Sequence, residues 1–376
     1  MTMTRAIGAL ACALAIAGAI VQEPPPNELD RDDPSNLRLV SVVFRHGDRA
    51  PDPAEMFPTD PHQSFYPEGP GGLTIAGKRR LYKLGELLRL RYDHFLGDAC
   101  LPDSVFARST DYPRTKMCLQ LVLASLYPPR MTSQLWNANL LWQPVPTVYV
   151  DSKRDWLMIP ENCPQLRRYM AERARVEGTP EVREKIESFR GFMDKLTGLT
   201  GKEISKPVDM FNLYHLMTAE RAMNLTLPGW TDDVFPSGRL LEGTYLEYEI
   251  FSHNRRMRRL NGGKLLYAIM KDMKMAMVGE IPKNRRIALY SGHETNVAAV
   301  LQALGIFEPH VPAYSSAVLF ELHAINNEYY VKVVRYLGIP SEFVVQRIPG
   351  CEELCPFRTF SYLLRDVIPT QNELDC

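Results

Sequence analysis

The sequence predicts an α/β fold in which a mixed central sheet is flanked by helices and carries an inserted, mainly helical cap domain. Three observations lead there. Apolar runs at 39–44, 105–107 and 287–290 each break into a loop that opens with polar or charged residues, as a buried strand does at the carboxyl edge of an open sheet. A stretch with helical signals follows each of them. From about Asp151 to Ile250 the pattern changes to helices rich in charge and methionine, punctuated by Pro160, Pro164, Pro180 and Pro207. The expected division is 36–150 with 251–376 for the sheet domain and 151–250 for the cap.

Length allows this: 376 residues suffice for one large domain with a substantial insertion. Lys plus Arg and Asp plus Glu balance at 44 each, so no overall field draws the chain to nucleic acid or to an anionic membrane. Any preference for anions must come from arginines placed locally.

Residues 1–19 read as a signal peptide, with Arg5 ahead of an apolar stretch from Ala6 to Val21 and Ala17-Gly18-Ala19 as the small-residue cleavage site. The apolar stretch is short of the ~20 residues that span a bilayer, and no later stretch could span one. A secreted protein is expected, with the lysosomal lumen as the lesser alternative. Cleavage removes Cys12 and leaves an even number of cysteines, which suits an oxidising compartment. Asn224-Leu225-Thr226 is the one N-glycosylation sequon.

Leu39 to Phe44 is the first strand, buried on both faces, and Gly47 lets the chain turn sharply as it leaves the sheet. The loop there carries Arg45, His46, Asp48 and Arg49 and closes at Pro51. Residues 52–72 form a long loop over this site. Thr74 opens a helix whose Leu81, Leu84, Leu88 and Tyr92 recur at helical spacing, leaving Lys78, Arg79, Arg80 and Lys83 as a wetted surface. A strand over 105–107 then delivers Arg108 into a second loop, before a helix from about Tyr112 to Leu126 stopped by Pro128-Pro129. In the cap, Phe211, Tyr214 and Trp230 read as packing, and His215 and His253 as structural histidines. A single helix from about Arg255 to Met277 leads back to the third strand, 287–291, whose loop carries His293 and Glu294. Strands around Asn326-Asn327 make an antiparallel hairpin at the sheet edge.

Arg45 and Arg49 each offer a planar fork of donors to a tetrahedral oxyanion, and His46 between them has a nitrogen lone pair able to attack phosphorus. Phosphate chemistry follows. A solvated turn would be the better reading of such charges elsewhere, but these sit directly after a buried strand.

Arg45-His46-Gly47-Asp48-Arg49-Ala50-Pro51 resembles the signature of the histidine acid phosphatases, and Arg108-Ser109-Thr110-Asp111 resembles a second motif of that family. The likeness spans nearly the whole chain after the leader and is nearest to secreted insect acid phosphatases of the venom type, as in Tyr127-Pro128-Pro129 and Val367-Ile368-Pro369. It implies a phosphoglycerate mutase-like sheet domain and hydrolysis of small phosphomonoesters through a covalent phosphohistidine. His46 would be the nucleophile, Arg45, Arg49, Arg108 and His293 would bind the phosphoryl oxygens, and Glu294 would be the general acid. The last is a departure, because most members have aspartate after the histidine. Asp48 is expected to orient neighbouring arginines. The resemblance also implies a bridge Cys351–Cys355, a clasp Cys163–Cys376 and a homodimer. It leaves Cys100 with Cys118, as a third bridge or as two buried thiols. No metal or other cofactor is expected, since the histidines lack ligand spacing and arginines already supply the positive charge. The alternatives are a phytase or inositol-polyphosphate phosphatase, and a secreted venom or salivary binding protein with weak catalysis.

Overall fold

Strand β1 (Leu37–Arg45) is apolar almost throughout because both of its faces are covered. The computed structural model describes residues 34–163, 169–338 and 342–374. On one side of β1, Val40, Val42 and Phe44 pack against α1 (Ile75–Leu96) and α2 (Pro113–Leu126), whose Leu81, Leu84, Leu88, Leu119 and Val122 are buried. On the other side, Leu39 and Val43 meet a core that includes Leu265, Ile269 and Val300. Alternate residues thus feed two cores, and the strand reads as one continuous hydrophobic run.

The sheet is mixed, in the order β3-β2-β4-β1-β5-β6-β7, with β8 paired to β6. Strands β2 (Val105–Ser109), β3 (Val148–Tyr149) and β4 (Ile287–Gly292) run parallel to β1, while β5 (Ala317–Ile325), β6 (Glu328–Tyr336), β7 (Phe343–Gln346) and β8 (Leu354–Pro356) form its antiparallel part. The carboxyl ends of β1, β2 and β4 therefore lie side by side. β5 enters from that same end, so the residues just before Ala317 reach it too. The hairpin turns at Asn326 and Asn327, both at positive φ, but it is not at the edge. β7 holds that place, and β5 lies against β1.

The helical layer consists of α3 (Tyr169–Glu177), α4 (Pro180–Glu187), α5 (Arg190–Thr200), α6 (Pro207–Ala222) and α7 (Arg239–Phe251), with a core of its own around Met193, Met210, Leu216 and Leu240. The return segment is two helices, α8 (Arg255–Leu260) and α9 (Gly262–Met277), broken at Asn261, where φ −100° and ψ −105° are not helical. Then α10 (Glu294–Leu304) follows β4, and α11 (Phe357–Leu363) and α12 (Gln371–Leu374) complete the described chain.

Two cysteine expectations can be compared with the structure. Cys351 and Cys355 are bridged. Cys100 and Cys118 are both free thiols, which corrects the third pairing. Cys118 lies in the second turn of α2, at the carboxyl end of the strands, where it accepts a hydrogen bond from the Gly47 N–H at 3.3 Å. Cys100 precedes the amino end of β2, a five-residue strand that separates the two ends of the sheet by ~16 Å. That exceeds disulfide reach. Cys163 is disulfide-bonded; its expected partner Cys376 and the expected signal peptide, residues 1–19, lie outside the described residues.

The loop over the carboxyl edge is stitched to the helical layer. Thr59 Oγ1 donates to Leu199 O, Lys202 Nζ to Ala54 O, and the loop carboxylate Asp60 faces the fully buried Glu220 of α6. Burial, reinforced by Asp60, pushes Glu220 up to about 8. The folded state thus holds this proton more tightly than the unfolded chain, where a glutamate titrates near 4.3. Stability from this pair is complete below that value and is lost as the pH rises toward 8. A fall in Tm of about 5 °C or more between pH 5 and pH 8 is expected, and Glu220→Gln should flatten it. Parallel Tm profiles for wild type and variant would remove the pair as its cause.

Candidate active site

Three strand ends meet at the carboxyl edge. β1 delivers Arg45 and, one residue on, His46; β2 delivers Arg108; β4 leads through Gly292 to His293 and Glu294. Backbone bonds lock the junctions together, His46 N–H to Gly292 O at 3.0 Å, Thr110 N–H to Ser291 O at 3.1 Å and Arg45 N–H to Ser316 O at 2.9 Å. Gly47 is needed here for close approach and not for a left-handed turn: it does not have positive φ, but a Cβ on it would lie 2.5 Å from Gly77 O. The loop after β1 presses directly on the first turns of α1.

His46 is 1 % exposed, and its Nδ1 lies 2.8 Å from Gly47 O. A carbonyl can only accept, so Nδ1 carries the proton and Nε2 keeps its lone pair. Nε2 lies 3.9 Å from Glu294 Oε2, and the same oxygen is 3.0 Å from Arg45 Nε. Burial, then Arg114, Arg45 and His293, hold the His46 pKa well below its usual value, so the ring is neutral. His293 is likewise neutral, lowered to about 3 by burial and by Arg114. Its ring stands edge-on to His46 at 5.5 Å and its Nε2 is 3.0 Å from Thr110 Oγ1.

Burial alone would raise the pKa of Glu294, but Arg45, with His215, His46 and His293, brings it well below the carboxylate range. The carboxyl is therefore ionised in the ligand-free protein.

The other arginines are held by carboxylates. Glu55 takes Arg49 in a fork at 2.7 and 2.5 Å, and Asp155, fully buried, takes Arg108 Nη2 at 2.5 Å. Each keeps a buried donor with no acceptor among the described residues: Nε of Arg49 and Nε of Arg108, matched by Nη2 of Arg45. Asp48 corrects its expectation by pairing with Arg80 of α1, through Nε at 2.6 Å, and not with Arg45 or Arg49. Arg80 is thus part of the site's support and not merely wetted surface.

Two participants were missed from the sequence. Arg114, near the start of α2, reaches Asp52 at 3.0 Å and is the largest charge acting on both site histidines. Its signal was a Pro-Arg pair opening a helix right after the second motif. Tyr314, delivered by the antiparallel strand β5, lies with its ring centre 4.2 Å from Arg45 Cζ. No local pattern announces it.

The sequence profile of the histidine phosphatase superfamily (branch 2) matches residues 36–335. The chain belongs to that family. Among members of the superfamily, venom acid phosphatase Acph-1 of Apis mellifera is 45 % identical over 345 residues, 91 % of this chain and 88 % of that one. The prostatic acid phosphatase of Homo sapiens is 35 % identical over 352 residues, covering 90 % and 88 %. In structure, the histidine phosphatase fold seen here resembles the Hafnia alvei phytase in complex with tartrate, with a TM-score of 0.66 at 20 % identity over 89 % of this chain and 97 % of that one. At that identity the likeness concerns the fold alone.

Proposed function

We propose that the protein is a secreted acid phosphatase that hydrolyses small phosphomonoesters through a phosphohistidine on His46. The observation that carries this reading is a neutral, buried imidazole whose free Nε2 faces a carboxyl group, amid arginines that retain unused donors. Arg45, Arg49 and Arg108, with His293, would bind the phosphoryl oxygens and stabilise the charge that develops on them. Nε2 attacks phosphorus, the ester P–O bond breaks, and Glu294 gives its proton to the departing oxygen. Water, deprotonated by the same carboxylate, then cleaves the P–N bond. Two displacements retain configuration at phosphorus.

Charge balance favours simple monoesters over inositol polyphosphates. Arg45, Arg49, Arg80, Arg108 and Arg114 each have a carboxylate partner, namely Glu294, Glu55, Asp48, Asp155 and Asp52. That leaves no surplus for a ligand bearing many phosphates. Purified protein at acid pH should release phosphate from glycerol phosphate with kcat/KM at least about tenfold above that for inositol hexakisphosphate, a margin of ~1.4 kcal/mol. The reverse order would favour a phytase, and no release from either would favour a binding protein.

Secretion is supported by the apolar stretch from Ala6 to Val21, which reads as a signal peptide, by the Cys351–Cys355 bridge and by the exposed sequon at Asn224. A homodimer is supported by exposed Trp136, Leu141 and Trp142 beside the edge strand β3, whose Val148 and Tyr149 are also exposed. The segment 151–250 would act as the cap.

A further inference from the structure

His215 is fully buried on α6, and among the described residues neither of its ring nitrogens has a hydrogen-bond partner. An ordinary core histidine satisfies at least one of them. Its ring is fixed instead by apolar neighbours, edge-on to Phe211 at 4.3 Å and to Tyr214 at 6.0 Å. Phe211 packs in one cluster with Ala298 of α10, and each of these residues has a partner one helical turn away on the same face: His215 four residues after Phe211, and Glu294 four residues before Ala298. Through that cluster, which also holds Tyr248 of α7, His215 and Glu294 each stand one helical turn from the same apolar contact.

Electrostatics agree with this placement. The charged groups that act on His215 are Glu294, Arg45 and Arg49, and burial holds the imidazole neutral, with its pKa lowered to about 3. His215 is in turn among the groups that lower the pKa of Glu294.

We propose that His215 is a positioning residue for the proton-donating carboxyl: once phosphate occupies Arg45, the His215 N–H holds one oxygen of Glu294 so that the other presents its proton to the leaving group. The inference rests on Glu294 acting as the acid. It gives an otherwise unsatisfied buried imidazole a partner in the loaded site, and it makes the helical layer part of the proton-transfer geometry.

The test compares His215→Phe and Glu294→Ala on glycerol phosphate and p-nitrophenyl phosphate. His215→Phe should slow kcat on glycerol phosphate by about 10- to 50-fold and on p-nitrophenyl phosphate by no more than about threefold. Its alkaline limb of kcat should move to higher pH, because a hydrogen bond that favours the ionised carboxyl is gone. Adding His215→Phe to Glu294→Ala should cost nothing further on glycerol phosphate. Equal losses on both substrates and an unmoved limb would overturn the proposal, provided Glu294→Ala discriminates between them. If Glu294→Ala does not discriminate, it is the acid assignment that has failed. In the wild type, which needs no variant to fold, saturating inorganic phosphate should shift the His215 ring nitrogen resonances, and an unchanged spectrum would count against the contact.

Discussion

His46→Ala is expected to lower kcat by a factor on the order of 10⁴ or more, the scale on which removal of a covalent nucleophile acts. Among the described residues no other group is placed to take over the attack. His293 is the nearest imidazole, but its Nε2 is already engaged with Thr110, and Arg45 and Arg49 cannot serve as nucleophiles. Water could attack only without the proximity that a bound nucleophile provides. Rapid quench into alkali, where a phosphoramidate is stable, should trap label from a ³²P-labelled monoester on the wild type, to be released by acid, and none on His46→Ala. Because the site is buried, the variant's Tm must be compared as well. The covalent mechanism would be lost if the well-folded variant trapped label or kept a tenth of the wild-type rate.

Why these residues could be read from sequence at all is a matter of local grammar. A parallel strand covered on both faces is one apolar run, and it must end where its charged residues reach the edge, so Arg45, Arg108 and His293 each announce a junction. The groups that tune them announce nothing. Glu55 lies within a long irregular loop, Asp155 beyond a short 3₁₀ turn, and Tyr314 on a chain that enters antiparallel; each meets its partner only through tertiary packing. Arg80 was misread because its helix face is mostly wet, and only the close crossing of Gly47 over Gly77 brings that face under Asp48. Cys118 looked available for a bridge because spacing does not reveal which end of the sheet a helix turn occupies. The sequence reading of His215 as structural meets the same limit. One histidine on the buried face of an amphipathic helix has the same periodicity whether it faces leucine or a carboxylate.

Glu294→Ala is expected to slow glycerol phosphate hydrolysis by about 10²- to 10⁴-fold, the range of general acid catalysis, and p-nitrophenyl phosphate far less, since nitrophenolate leaves without a proton. The protonation state makes this more than an analogy. In the free enzyme Arg45 and the surrounding histidines hold Glu294 ionised, so a proton donor does not yet exist. A phosphoryl group bound as proposed would change that: it would take up the charge of Arg45 and set its own negative oxygens near the carboxylate, and both effects would raise the pKa. On the proposed mechanism the substrate would thus create the acid form. It follows that the alkaline limb of kcat, which reports the enzyme–substrate complex, should lie at higher pH than that of kcat/KM, which reports the free enzyme, and that the kcat limb should vanish in Glu294→Ala. Equal losses on the two substrates, or a kcat limb that survives the substitution, would assign the proton to another group.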